Sequence, residues 1–462
     1  VLLVHVRHRG GVVLAAVLLS TLVFPLSITG ASTALPDLQA QLGGGLAGAQ
    51  WVVNAYNACF AAFLVVAGAV ADAVGRRRVY AAGVGLFFLS GALVPFAQDV
   101  SVLVALRALG GAGAAAAVAG GTSLLAAAFE GPARARAFGL LGTVLGAGTA
   151  FGPAVSGLLV QTLGWRSAFV APAVVAGTVL LLVPLLPARR GTGRRVDVLG
   201  AVLFTLGLLT LLAALVEGPE RGLPTAAGAL VVSALLLGAF VLVERGRQEP
   251  LVDVALLTNR AFVAYALAAA TFMAVLVPLL VYLPSYLIAV VGLSAARTGL
   301  WLLMLTVPTL LLPTVGAELA ARLPRTAVVV GALVLCGAGA VGLLVLGPDV
   351  TPLALAVPFV LIGSGVGLTN GLIDGLAVGA VPVERAGTAA GVFNAARLTL
   401  ETIAIAVVGA VLAVVTGGRL EGAAFTDAFH TVALLLGGCT AVVVVAVCLL
   451  SRRGTAEGAR VG

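Results

Sequence analysis

The sequence predicts an all-α protein that crosses a membrane many times, and three observations lead there. Of its 462 residues, 61% are apolar and only 10% charged, with a mean hydropathy of +1.18. A soluble protein carries roughly a quarter of its residues as Asp, Glu, Lys and Arg, so soluble domains of this size could not cover their surface with so few. The apolar residues fall in runs of about 20 or more, the length a helix needs to cross ~30 Å of hydrocarbon. Charged residues cluster between the runs. A cytosolic enzyme, a secreted domain and a disordered chain are therefore excluded.

Apolar runs punctuated by Gly, Pro and charge place fourteen helices. The first six fall at 11–34, 48–71, 79–97, 101–128, 136–161 and 166–186. Two more follow at 198–216 and 223–243, and the last six at 261–290, 295–317, 326–346, 352–380, 386–416 and 428–450. An even number puts both termini on one side, expected to be cytoplasmic. The net charge is +8, and all 26 basic residues are Arg. With the N terminus inside, 20 of these Arg fall in inner segments and 4 (Arg166, Arg221, Arg297 and Arg419) in outer loops. Arg107 and Arg397 lie within spans. This asymmetry obeys the positive-inside rule, and one missed helix would invert every later loop and spoil it. Topology accounts for the Arg clusters better than contact with nucleic acid does.

The first run is longer than a signal-peptide core and is expected to remain as helix 1. Val1 fits a GTG start or a truncated N terminus, and the Ala/Gly/Val/Arg bias without Lys fits a GC-rich bacterial genome. The expected organisation is an N-terminal six-helix bundle (1–186), linkers with an inserted helix pair (187–260) and a C-terminal six-helix bundle (261–462). The segment after helix 2, from Gly68 through Asp72 and Gly75 to Arg76, Arg77 and Arg78, has a weak counterpart in Gly316, Glu318, Arg322 and Arg325 after helix 10. Parallel halves of this kind are a transporter design.

Several chemistries find no residues. Cys59, Cys336, Cys439 and Cys448 sit inside apolar runs, as neither a disulfide framework nor a metal set. His5 and His8 stand in a basic N-terminal stretch and His430 stands alone, so a polytopic membrane enzyme lacks its constellation. A chain without Lys forms no nucleotide-binding Gly-Lys loop. No cofactor or metal is expected.

Three motifs carry more. Gly68-x-x-x-Asp72-x-x-Gly75-Arg76-Arg77-Arg78 combines a Gly for a tight turn with an acid able to face a helix N terminus and a basic cluster suited to anionic headgroups. In helix 4, Arg107 is followed by Gly110, Gly111 and Gly113; an Arg within a span marks a functional interior, and small residues let a neighbour approach. In helix 5, Gly148, Gly152 and Gly157 surround Pro153, a packing face with a bend.

These motifs, in this order, resemble those of the major facilitator superfamily, specifically its fourteen-helix drug:proton antiporters. The resemblance implies the major facilitator fold, two six-helix bundles plus two inserted helices. It implies that the first motif is the gating loop, that Arg107 is linked to proton coupling, and that the helix 5 motif separates exporters from importers. Gln50-Trp51 with Asn54 and Tyr56, Asp197 through Gly200, and Arg385 with Asn394 and Arg397 agree with it. Two positions depart from the pattern. Ser27 stands where a buried Asp of helix 1 belongs, and Gly110 replaces a Gln.

A hydroxyl does not titrate in the useful range, so any coupled proton needs another carboxylate. Asp374 in helix 12 and Glu401 in helix 13 are the acids placed inside spans. Glu401 follows Arg397 by four residues, so both share a face, as proton site with switching partner or as a static ion pair. Asp374 similarly follows Asn370. Ser27, Asn54, Tyr56, Asn57, Asn370 and Asn394 are the expected substrate contacts, with Tyr265, Phe272 and Tyr282 as further lining.

The expected function is export of lipophilic drugs or antibiotics in exchange for protons, from a bacterial plasma membrane. The expected partners are a small-molecule drug, protons and the lipid bilayer, with no nucleic acid and a monomeric chain. An importer or facilitator on the same fold is the nearest alternative.

Overall fold

The computed structural model describes residues 2–43, 45–187, 197–247, 256, 258–381, 386–418 and 421–458. The expected linker Arg residues Arg189, Arg190, Arg194 and Arg195, together with Arg385, Arg419 and Arg460, lie outside the described residues. The side chain of Asp72 lies outside them too, although its backbone belongs to a helix. The chain forms two compact units, residues 1–240 and 241–462.

Unit 1 contains α1 (Leu2–Leu42), α2 (Gly45–Val74), α3 (Arg76–Leu93), α4 (Val100–Ala128), α5 (Gly131–Leu163), α6 (Ser167–Leu182), α7 (Val198–Arg221) and most of α8 (Leu223–Arg245). Short polar side chains start two of these helices: Asp99 accepts from the Val102 amide and Asp197 from the Gly200 amide, each at 3.0 Å. Such caps satisfy amides that have no partner inside the helix. Helix α1 packs on α5 and α6, α2 on α4 and α7, and α3 on α4 and α6. Phe24, Tyr56 and Phe87 fill the space between them, with Phe24 edge-on to Phe87 at 5.3 Å. The inserted pair is joined by a hydrogen bond from Ser233 to the Gly207 carbonyl (2.8 Å) and by Phe204 against Phe240.

Unit 2 contains α9 (Arg260–Ala289), α10 (Ala295–Leu311), α11 (Pro313–Arg322), α12 (Arg325–Gly342), α13 (Pro352–Thr369), α14 (Leu372–Gly379), α15 (Ala386–Thr416) and α16 (Gly422–Gly458). Asn259, Ser294 and Thr351 cap α9, α10 and α13. Helix α9 packs on α15 and α16, and α13 on α10 and α12. Tyr286, Phe425 and Phe429 form its aromatic core, with ring centroids 5.0–5.4 Å apart.

Among the described residues, twelve helices are long and apolar enough to cross a membrane. The pair α10 and α11, bent by 44°, makes a thirteenth if it is one span. The fourteen expected from sequence also counted the helix at 48–71, which lies within α2.

Two expected spans are broken. The helix placed at 295–317 ends at Leu311 and restarts at Pro313, because a proline lacks the amide needed to continue the ladder. The helix placed at 352–380 divides at Asn370, which is extended, and Gly371, whose φ of 77° is open to glycine at little cost. Asp374 is consequently not within a continuous span. It occupies the first turn of the eight-residue α14, where the helix dipole favours a carboxylate. The shared face of Asn370 and Asp374 does not exist either, since the break lies between them, and Asn370 is exposed.

Candidate functional site

The basic segment after α2 folds as a turn on Gly75, whose φ of 120° no side chain tolerates readily. Its arginines reach protein carbonyls as well as facing outward. Arg76 donates to the Ser123 carbonyl near the end of α4 (3.3 Å), and Arg77 to the Leu186 carbonyl beyond α6 (3.1 Å). Cations beside the carbonyl ends of helices interact favourably with the dipoles, so the segment ties α3 to α4 and α6. Arg78 is exposed. A side chain at Gly68 would meet nothing within 4 Å.

The Gly–Pro face of α5 lies against α1. A Cβ on Gly148 would come 2.9 Å from the Leu22 carbonyl, and one on Gly152 would come 2.7 Å from the Thr29 hydroxyl. Ser156 and Thr29 exchange a hydrogen bond at 3.3 Å across the same contact. Pro153 and Gly157 are buried in it, and α5 remains one helix through Pro153.

Arg107 in α4 is 4% exposed. Its Nε donates to the Val52 carbonyl (2.8 Å) and its Nη1 to the Ser27 hydroxyl (2.7 Å). The guanidinium lies 4.2 Å from the centroid of the Tyr56 ring and 5.5 Å from that of Phe169. Hydrogen bonds to a charged group contribute about 1.5–3 kcal/mol each, and a desolvated cation–π contact about 2. Removing the charge from water costs several kcal/mol, so these contacts hold the side chain in place without supplying a counter-charge. Nη2 and the Tyr56 hydroxyl find no hydrogen-bond partner among the described residues. Close packing makes this meeting possible: Gly111 lies on the Tyr56 backbone, and any Cβ there would strike the Tyr56 carbonyl. Asn54, two residues after Arg107's contact at Val52, is fully buried and its amide atoms find no partner among the described residues, while Asn57 donates weakly to the Val53 carbonyl (3.4 Å).

Unit 2 brings the two candidate acids to one arginine, in an arrangement that sequence spacing does not indicate. Arg397 Nη1 lies 3.4 Å from Asp374 Oδ1, so α14 and α15 are joined by this pair. No ion pair between Arg397 and Glu401 occurs among the described residues. Glu401, one helical turn further along α15, is 8% exposed. Of the two expected readings the static Arg397–Glu401 ion pair is not seen: both residues stay one turn apart on α15, but the arginine side chain reaches the acid at the N-terminal end of α14. Asn394 is half-buried on α15. Tyr282, expected as lining, uses its hydroxyl to donate to the Ile405 carbonyl (3.2 Å), and Phe272 is core.

Sequence reasoning missed Val52, Phe169 and Ser90 as neighbours of Arg107. Their contributions are a backbone carbonyl, a ring face and a locally bonded hydroxyl, none of which leaves a motif. Among the described residues no group of three or more His, Cys, Asp or Glu is placed to hold a metal ion.

Long apolar helices that bury an arginine in one unit and a glutamate in the other define a multi-pass membrane protein. Residues 17–400 match the Major Facilitator Superfamily, and the chain belongs to that family. It is a transporter of the bacterial plasma membrane, not an enzyme. It is 33% identical to the multidrug resistance protein Stp of Mycobacterium tuberculosis (strain CDC 1551 / Oshkosh), over 84% of this chain and 73% of Stp. It is 36% identical to the puromycin resistance protein pur8 of Streptomyces alboniger, over 86% of this chain and 81% of that protein. In fold it is similar to the crystal structure of the peptide transporter POT in complex with sulfate, with a TM-score of 0.71, 16% identity, and 96% and 94% of the two chains covered.

Proposed function

We propose that the chain exports lipophilic drugs or antibiotics in exchange for protons by alternating access, as a fourteen-span protein with both termini in the cytoplasm. The names of its relatives, which are drug and antibiotic resistance proteins, support the substrate class. The observation that supports the coupling is the arrangement of one partly buried arginine and two acids. Glu401 is enclosed on α15 while Arg397, one turn earlier, rests on Asp374.

A carboxylate enclosed in an apolar interior is costly to keep charged unless it is paired, and a bound proton removes that cost. With Glu401 protonated, Arg397 is free to hold Asp374, the arrangement seen here. Loss of the proton leaves an anion at i+4 that draws the guanidinium back to its own helix. Each proton exchange thus releases or restores the tie between α14 and α15. Asn54, Tyr56, Asn57 and Asn394 are the polar groups offered to cargo, Asn370 being exposed. The segment from Gly68 to Arg77, the end of α2 with Asp72, the Gly75 turn and the start of α3, is the gate.

The test is drug accumulation in a host lacking its own pumps, with and without an uncoupler. Wild-type export should collapse with the proton gradient. Glu401→Gln, expressed at the same level, should abolish export at neutral pH. Unchanged resistance in that variant would remove Glu401 from the mechanism.

A further inference from the structure

A second group in the molecule is left incomplete, and it lies wholly within unit 1. Ser27 from α1, Tyr56 from α2, Ser90 from α3 and Arg107 and Gly110 from α4 border one small cavity, closed on its apolar side by Phe87 and Phe169. Ser27, Tyr56 and Arg107 are 4%, 1% and 4% exposed. Three donors face this space and find no acceptor among the described residues. Arg107 Nη2 and the Tyr56 hydroxyl are unpartnered, and Ser27, which accepts from Nη1, keeps its own O–H to give. No carboxylate pairs with Arg107 among the described residues.

We propose that this cavity binds a singly charged anionic group, a halide-sized ion or the carboxylate of a cargo molecule, as the counter-charge of Arg107. A buried guanidinium without a counter-charge is a costly arrangement, and a buried donor without an acceptor adds to the cost. A water molecule would satisfy the donors and leave the charge uncompensated. A neutral amide leaves the charge too, and a cation is repelled. One positive charge and a small, partly aromatic enclosure select a compact monoanion over a phosphate-like dianion.

Both departures from the family pattern border this space. Ser27 stands where an Asp would supply the counter-charge within the chain. Gly110 keeps its border of the space free of a side chain, since even a Cβ there would intrude to 2.7 Å from the Ser90 hydroxyl and 3.8 Å from the Tyr56 ring. The inference is independent of proton coupling at Glu401, because it concerns binding in the other unit.

The test uses the purified full-length protein in lipid nanodiscs, with a bulky sulfonate as the only other anion and ionic strength held constant. Thermal unfolding is followed while chloride or benzoate is added. Wild type should be stabilised saturably by at least one of them. A response to chloride assigns the occupant to a free ion, and a response to benzoate alone assigns it to a cargo carboxylate. Ser27→Asp supplies an internal counter-charge and should abolish the response or raise the half-saturating concentration about tenfold or more, which is ~1.4 kcal/mol or more of lost binding. Tyr56→Phe keeps the ring over the guanidinium but removes one donor, and should weaken binding severalfold. The proposal is overturned if wild type shows no saturable response to either anion, or if Ser27→Asp responds like wild type. Should Ser27→Asp fail to fold, an unchanged half-saturating concentration in Tyr56→Phe overturns it as well.

Discussion

Arg397 has two acids within reach, and its choice between them is a property of individual side chains. Its 3.4 Å contact with Asp374 crosses from α15 to α14, whereas Glu401 lies on its own helix, one turn along. Asp374→Asn removes the charge that holds the guanidinium away from Glu401. In that variant Arg397 should settle on Glu401 whatever the proton gradient, and uncoupler-sensitive drug export should fall by at least about tenfold, since a Glu401 held permanently by the guanidinium no longer takes up and releases the proton that drives the cycle. Asp374→Glu keeps the charge and should retain part of the activity. The measurement is uncoupler-sensitive drug accumulation at matched expression, and equal export by the Asn and Glu variants would exclude a role for the charge at 374. The serine at position 27 shows the same economy of residues in the other unit. Its hydroxyl holds Arg107 in place by accepting from Nη1 at 2.7 Å, a positioning contact that leaves the net charge unanswered.

At the scale of the helices, packing is set by where glycines admit a neighbour. The α1–α5 contact depends on Gly148 and Gly152, whose missing side chains are occupied by the Leu22 carbonyl and Thr29. Gly152→Leu should cost about 1–3 kcal/mol through overpacking, seen as a lower unfolding temperature in detergent. Gly139→Ala, on the same helix with nothing within 4 Å of the added carbon, should be neutral or raise stability by up to about 1 kcal/mol through helix propensity. If both variants behaved alike, the close approach of α1 and α5 would not be the reason for the glycine face. This face was legible in the sequence because glycines four apart around a proline are a packing pattern independent of the partner. The helix starts placed at 101, 198 and 261 fall within one residue of those at Val100, Val198 and Arg260, because the apolar runs begin directly after the polar residues that cap these helices, Asp99, Asp197 and Asn259. The break at Gly371 was not legible, since Gly makes up 60 of 462 residues and one more inside an apolar run carries no signal. Nor was the Arg107 group, which joins residues 27, 52, 56, 107 and 169 through the packing of four helices. Spacing along one helix predicted Arg397 with Glu401; only the path of the chain after Gly371 brings Asp374 within its reach.

For the whole molecule the proposed arrangement across the membrane rests on charge. Of the 26 arginines, 20 fall in segments assigned to the cytoplasm and 4 to the outside when fourteen spans are threaded from an inner N terminus. Lys and Arg near span ends are retained on the cytoplasmic side during insertion, so a wrong span count would scramble this asymmetry along the chain. Two nearby positions should then lie on opposite sides of the membrane. Replacing Cys59, Cys336, Cys439 and Cys448 gives a background without thiols, into which single cysteines are placed at Arg194 and Arg221. A membrane-impermeant maleimide added to intact cells should label the cysteine at 221 and leave that at 194 untouched until the membrane is opened. The pair also reports on α7, the helix between them, because the two positions share a side only if α7 fails to cross. Labelling of 194 from outside would invert the first half, place the basic segment at Arg76–Arg78 on the outer face, and end the assignment of that loop as a cytoplasmic gate.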